Sequence, residues 1–583
     1  MKITKITAFL TWLCITQLMS LQAQEKVEQL ALPSNIQLAW QDMELTTFIH
    51  FGPATWQDQE YDDLKTPLSR INPVQLDTDE WAKVARSYGS KMIIMVAKHT
   101  GGFCWWSTTT TDYNISHTPW KGGKGDLIKD LSESCKKYGL KFGIYLSPED
   151  QYLKVGMGGT ARDPEFQTTY EKIYRKQLTE LLTQYGEISE IWVDGSLVFD
   201  ISDLIVRHAP NAVVLQSSAA SIRWVGNEMG FAPYPAWNSV SKEDARSGNT
   251  TASNGAPWGN TWLPIEVDVS IRRPNWFWRT NNEDRVLTLE ELLQIYYASV
   301  GRGTVFLTNL CPDTLGCIPA KDAAVLKAFG TEIKQRFKKA LAETKGEGNT
   351  LLLPMKGIQK VDHVVLMEDI KYGERIRKFV LEGKQGDVWI PLFDGISIGH
   401  KLIVQLPSAL PLSHIRLRIS DAVGTPKIRS MKAFFVNKPT VIIPEIKDNW
   451  NIKHIGTWTT EELTDDVLDV KLELSDYCKD ARQYELAFVA TSEDGTSVKF
   501  SYDWQNTGLW LDNIEESNRL NVTDIQLLFA GSNANHYLYD NKRFKDRIIF
   551  NLTGIPTSLI VRAKVKGFEK RNNWKIEGYL LRK

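Results

Sequence analysis

Glu190-Ile191-Trp192-Val193-Asp194-Gly195 is a strand-like run that ends in a carboxylate and a glycine. A charge at the C-terminal tip of a buried strand is how barrels of alternating strands and helices carry polar groups on one face. Two earlier runs end in the same way. Thr46-Thr47-Phe48-Ile49 leads into His50-Phe51-Gly52, and Met92-Ile93-Ile94-Met95-Val96-Ala97 leads into Lys98-His99-Thr100. Polar groups at successive tips point to one rim built to hold a polar ligand.

Outward from this stretch, apolar runs at 46–51, 91–98, 141–146, 190–193, 212–216, 264–269 and 303–310 read as strands. Amphipathic segments lie between them. Leu127, Ile128, Leu131, Cys135 and Tyr138 form one stripe at helical spacing, with Asp126 placed to cap it. Tyr170, Ile173, Tyr174, Leu178, Leu181, Leu182 and Tyr185 form another, closed by Gly186. Thr288-Leu289-Glu290-Glu291 is a capping box that opens a third. The alternation predicts an α/β fold, an irregular (β/α)8-like TIM barrel over 30–343. No glycine-rich phosphate loop follows the first strand, which argues against an open dinucleotide-binding sheet. Beyond Lys345 short alternating runs such as Ile415-Arg416-Leu417-Arg418-Ile419 replace helical periodicity. They predict two all-β sandwich domains, 346–440 and 445–583, with a proline-rich seam between them.

The 583 residues carry 69 basic and 70 acidic side chains, a balance that excludes a concentrated basic surface for nucleic acid. Lys2, Lys5, an apolar stretch over 8–21 and Ala23 read as a signal peptide spanning 1–23, so the expected location is periplasmic or secreted. That stretch is shorter than a membrane span, and no comparable run follows. Cys104, Cys135, Cys311, Cys317 and Cys478 remain after cleavage, too few for a disulfide scaffold, with a 311–317 bridge as an option. No Cys or His cluster has zinc spacing, and no metal or cofactor is expected. The 20 tryptophans suit both core packing and stacking on sugar rings.

Cleaving a glycosidic bond takes two carboxylates, one to attack or activate water and one to protonate the leaving oxygen. Asp194 is the candidate nucleophile. Glu266, set between apolar neighbours in Pro264-Ile265-Glu266-Val267-Asp268, is the candidate acid, because desolvation raises a carboxyl. Glu228 and Glu60 compete for that role. If Asp194 and Glu266 are the pair, their carboxyls are expected roughly 5–5.5 Å apart. Asp268 is expected to pair with Arg272 or Arg273.

Phe48-Ile49-His50-Phe51-Gly52 and Lys98-His99-Thr100-Gly101-Gly102-Phe103-Cys104-Trp105-Trp106-Ser107 resemble the α-L-fucosidases of glycoside hydrolase family 29. So do Gly139-Leu140-Lys141-Phe142-Gly143-Ile144-Tyr145-Leu146-Ser147-Pro148 and Leu181-Leu182-Thr183-Gln184-Tyr185-Gly186. Arg223-Trp224-Val225-Gly226-Asn227-Glu228 and Glu266-Val267-Asp268-Val269-Ser270-Ile271-Arg272 look like the branch acting on α-1,3/1,4-linked fucose. The resemblance implies an exo-acting, retaining enzyme on an oligosaccharide or glycan, with Asp194 and Glu266 catalytic. It implies a sugar pocket drawn from His50, Glu60, His99, Trp106, Tyr145, Arg223, Trp224 and Trp278. This chain departs from the family where Thr100-Gly101 replaces the usual His-Asp, where Tyr61 follows Glu60, and where Glu149 follows Pro148. The Thr100 departure is expected to remove bulk from the pocket and to favour decorated substrates. The alternative reading is a non-catalytic or weakly active glycan-binding protein on the same barrel.

Overall fold

The computed structural model describes residues 30–443, apart from 241–244, 246–254 and 258, and much of 452–582. The signal-peptide expectation over 1–23 lies outside the described residues.

Eight parallel strands form the barrel: β1 (Leu45–Ile49), β2 (Met92–Lys98), β3 (Lys141–Leu146), β4 (Ile188–Trp192), β5 (Val213–Leu215), β6 (Arg223–Trp224), β7 (Ile265–Ser270) and β8 (Val305–Leu310). Their order is β5-β4-β3-β2-β1-β8-β7-β6, and a parallel bridge between Leu215 and Ile222 brings the two ends together. Seven of these strands coincide with apolar runs legible in the sequence. The eighth, β6, is two residues long and carries no periodic signal.

Helices α1 (Asn35–Gln41), α2 (Thr78–Ser87), α3 (Leu127–Tyr138), α4 (Gln167–Gln184), α5 (Ser202–His208), α6 (Leu289–Ala298) and α7 (Ala320–Arg336) surround the sheet. The caps decide their ends. Asp126 accepts the Lys129 amide at the start of α3, and Gly139 ends it in the left-handed region at φ 67°. Thr288 and Glu291 close the capping box of α6. Among the described residues no helix follows β5 or β6, and this is the irregularity of the barrel. Helix α1 covers the N-terminal end of the barrel, where Gln37 Nε2 donates to the Ser221 and Trp262 carbonyls.

The pleat sends alternate residues inward. Phe48, Ile94, Tyr145, Trp192, Leu215 and Leu307 fill the lumen as one apolar cluster. Continuing the same alternation past each strand tip aims His50, Asp194 and Asn309 at the space above that plug.

The next six strands form one antiparallel sheet: β9 (Ala342–Glu347), β10 (Thr350–Glu368), β11 (Ile376–Gln385), β12 (Val388–Gly395), β13 (Leu402–Ala422) and β14 (Lys427–Phe434), in the order β9-β14-β10-β13-β11-β12. Register breaks between Pro354 and Gln359 and between Val361 and His363 let the long strands bend around a core that includes Val364, Phe379, Leu417 and Met431. This sheet belongs to the same compact unit as the barrel, and the unit ends at Pro444. Within it the Asn238 side-chain amide donates to Glu374, and His400 Nε2 meets Asp42 at 2.8 Å. His400 is therefore a buried joint. The second unit, Glu445–Lys583, has a five-stranded and a three-stranded antiparallel sheet that share one core, with Tyr484, Phe488 and Phe550 from one and Val470, Val522 and Val561 from the other.

No helix of the described residues is long and apolar enough to cross a membrane. All five described cysteines are free, so Cys311 and Cys317 are not bridged.

Candidate active site

Asp194 follows β4 at the C-terminal face, where Gly195 and Ser196 both take positive φ, 79° and 69°. That turn leaves the Asp194 carboxyl half-buried at the mouth of the lumen, and Gly195 N is pinned to Gln216 Oε1 at 2.8 Å. The Tyr145 hydroxyl donates to Asp194 Oδ2 at 2.9 Å. Burial raises the Asp194 carboxyl, and the tyrosine bond works against that rise by favouring the charged form. Burial beside Asp194 holds Tyr145 well above the usual phenol range, so it remains a donor.

His50 and His99 lie on the same rim with ring centroids 5.6 Å apart. Asn309, at the tip of β8, binds His50 Nδ1 at 2.8 Å and fixes the ring. Burial and the neighbouring His99 push His50 well below the usual imidazole range, and burial brings His99 down to about 4. Both rings are neutral at physiological pH and suit hydroxyl groups better than anions. His99 stacks on Tyr145 at 5.8 Å and on Tyr61 at 6.2 Å, while Trp276 and Phe277 pack on His50 at 5.0 and 5.4 Å. The result is an aromatic cup with Asp194 at one edge.

Two more carboxylates stand on the open side. Glu60 accepts the Trp276 amide at 2.9 Å and Arg279 at 3.1 Å, and desolvation with the nearby Glu228 charge raises it to about 7. Glu228 lies on the loop after β6, exposed on the cleft side. The cleft walls still desolvate its carboxyl enough to raise it, the Trp276 side chain hydrogen-bonds it, and the Asp194 charge raises it further. This environment favours the acid form of Glu228 beside the Asp194 charge.

Glu266 is elsewhere. It is the second residue of β7, 0% exposed, and accepts the Trp192 indole N–H through Oε2 at 2.6 Å. Its partner is Glu190, which takes the Trp40 indole N–H at 2.7 Å, and mutual burial holds Glu266 well above the carboxylate range. Glu190 lies roughly 13 Å below Asp194 along an extended chain. The expected 5–5.5 Å approach of Glu266 to Asp194 is therefore not met, because the pleat sends Glu266 into the closed floor of the barrel. Asp268 also faces the lumen and takes the Trp224 indole N–H at 2.7 Å. Arg272 pairs instead with Asp322 at 2.9 Å and Glu283 at 2.6 Å.

Two residues expected in the sugar pocket lie outside it. Arg223 is 3% exposed and donates to the Leu263 and Trp237 carbonyls, facing Glu374 of the β module. Trp106 is 1% exposed and binds Glu180 of α4 at 2.8 Å, on the outer side of the barrel. Trp224, partly exposed at the tip of β6, donates to Asp268 and packs, like Trp276, on the top of the lumen cluster. Trp278 is partly exposed in the loop after β7. His50, Glu60, His99, Tyr145 and Asp194 do converge, joined by Glu228, Tyr61, Trp276, Phe277 and Asn309. Asn309 carried the same signal as Asp194, a polar residue at the end of the apolar run 303–310, and was readable by that rule.

The Thr100 departure does not open the pocket. Thr100 is buried, with its hydroxyl 3.2 Å from His99 Nδ1. A Cβ on Gly101 would lie 2.5 Å from the Asp62 side chain, so Asp62 already occupies that space. Among the described residues, no group of His, Cys, Asp and Glu is arranged to hold a metal ion.

The alpha-L-fucosidase family model matches residues 34–336. Alpha-L-fucosidase 1 of Arabidopsis thaliana is 31% identical over 448 residues, covering 68% of this chain and 86% of its own length. The crystal structure of a glycoside hydrolase 29 family member from an unknown rumen bacterium is 25% identical with a TM-score of 0.65, covering 93% of this chain and 96% of its own. The structure of SpGH29 is 29% identical with a TM-score of 0.64, covering 70% and 98%. With this barrel and this rim, the chain is a glycoside hydrolase and belongs to the alpha-L-fucosidase family.

Proposed function

We propose that the protein is an exo-acting, retaining glycosidase that releases terminal α-L-fucose from glycans, with a preference for α-1,3/1,4 linkages. The observation that carries the reading is the pairing of Asp194 with Glu228 on one rim: a strand-tip carboxylate held by Tyr145, near a carboxyl whose acid form is favoured by its walls and by the Asp194 charge. Asp194 attacks the anomeric carbon while Glu228 gives its proton to the departing glycosidic oxygen. Glu228, now ionised, takes a proton from the water that opens the fucosyl–Asp194 ester, and the α configuration is restored. The neutral imidazoles of His50 and His99 meet ring hydroxyls. The Trp276–Phe277 wall offers an apolar face to the C5 methyl of a 6-deoxy sugar. The basic–apolar–small pattern of residues 2–23 supports a periplasmic or secreted location.

The test is turnover of a panel of nitrophenyl α-L-glycosides, with NMR of the first-formed anomer. Selective release of α-L-fucose supports the proposal. Release of the β anomer, or no turnover of any member, overturns it.

A further inference from the structure

The loops that carry the site also expose large apolar side chains. Tyr61 is 60% exposed, Tyr152 44% and Met229 40%, on the loops after β1, β3 and β6. A single exposed apolar residue needs no explanation. Three on one rim, two of them aromatic and braced from behind, are a different matter.

Tyr152 is the better braced. Its ring stacks face to face on Tyr113 at 4.8 Å with 13° between planes, so one face is covered and the other is open. Tyr113 is buried, and its hydroxyl donates to Asp62 Oδ2 at 2.6 Å. Asp62 is itself fixed by Gln57 Nε2 at 2.8 Å and the Leu64 amide at 2.9 Å. The Tyr152 amide donates to the Gly101 carbonyl at 3.2 Å, which ties this loop to the strand tip that carries His99. Gly101 has no side chain, and only that absence lets Asp62 seat. The Thr100-Gly101 departure thus makes room for a pedestal under an exposed ring, beside the pocket wall of His99 and Tyr61.

We propose that the open face of Tyr152 is a platform for a pyranose of the leaving group, so that the pocket takes the fucose and Tyr152 the next sugar or its branch. A tyrosine ring on a rigid base presents a flat apolar surface with little conformational entropy left to lose, which suits the C–H face of a hexopyranose. The Asp62–Tyr113 brace keeps it in one orientation, and its amide hydrogen bond to Gly101 ties it to the strand tip that carries His99. This inference rests on the fucosidase reading above.

The experiment compares kcat/KM for 4-nitrophenyl α-L-fucoside and for a fucosylated trisaccharide in wild type, Tyr152→Ala and Tyr152→Phe. Loss of a stacked sugar face of about 50 Å² predicts a roughly tenfold fall in the trisaccharide-to-aryl ratio for Tyr152→Ala. Tyr152→Phe, which keeps the ring, is expected to hold the wild-type ratio. An unchanged ratio in Tyr152→Ala overturns the platform, as does an equal loss on both substrates, which marks a purely structural role. Failure of the wild type on both substrates strikes the fucosidase reading itself and is distinguishable from either result.

Discussion

Replacing Glu228 by Gln separates the rim from the barrel floor. The substitution keeps the side-chain volume and an acceptor for the Trp276 side chain, and removes only the proton that can be transferred. Proton donation from a positioned acid is worth roughly 10²–10⁴-fold in rate, so kcat on a fucosylated oligosaccharide is expected to fall by that much. A nitrophenolate leaves without much help, so the aryl fucoside should lose less. Glu228 is raised by burial and by the Asp194 charge, so its acid form persists upward in pH, and the alkaline limb of kcat/KM reports it. That limb should vanish in Glu228→Gln, and azide should restore turnover by yielding α-L-fucosyl azide. Glu266→Gln retains the Trp192 bond inside the lumen and should leave the alkaline limb in place. The assay is a pH series with both substrates on all three proteins. A limb lost in Glu266→Gln and kept in Glu228→Gln would falsify the assignment.

Tyr145→Phe deletes one hydrogen bond to the ionised form of Asp194. The Asp194 pKa should rise, the acidic limb of kcat/KM should move to higher pH, and kcat should drop roughly ten- to a hundredfold. Arg223→Gln leaves the Leu263 and Trp237 carbonyls short of a cation in a buried joint. It should lower stability by about 3–5 kcal/mol in chemical denaturation, with KM of the folded fraction unchanged, whereas a sugar-binding arginine would raise KM instead. Glu368 and Glu374 are held by burial at about 8 and about 7, above the ordinary 4.5. The folded state therefore binds protons that the unfolded state has released, and these groups make stability fall as pH rises from about 4.5 to about 8. Thermal melts across that window should show a declining Tm, with a shallower decline in Glu374→Gln.

The barrel was legible because seven of its strands are apolar runs with tip residues of opposite character, and its helices carry explicit caps at Asp126, Gly139 and Thr288. Asp194 was legible by the same tip rule. Glu266 misled because an isolated carboxylate between apolar residues looks alike whether it faces a cleft or a closed lumen. Only the register, with Glu266 beside Trp224 and Val305, shows that it sits near the bottom of β7. Arg223 misled for a related reason. A strand two residues long has no periodicity, so nothing in the sequence tells which of Arg223 and Trp224 points outward. Glu228 stands on a loop after that short strand, where placement depends on the indole of Trp276 from another loop. Trp106 belongs to an aromatic run in which packing on α4 and packing on a sugar leave the same trace.

The most direct test of the assignment is to trap the glycosyl-enzyme with an activated 2-deoxy-2-fluoro-α-L-fucoside and map the modified peptide by mass spectrometry. The expected result is one fucosyl ester on Asp194, abolished in Asp194→Asn, with protein that remains folded by circular dichroism. A label on Glu228, Glu60 or Glu149, or steady turnover in Asp194→Asn, would contradict Asp194 as the nucleophile.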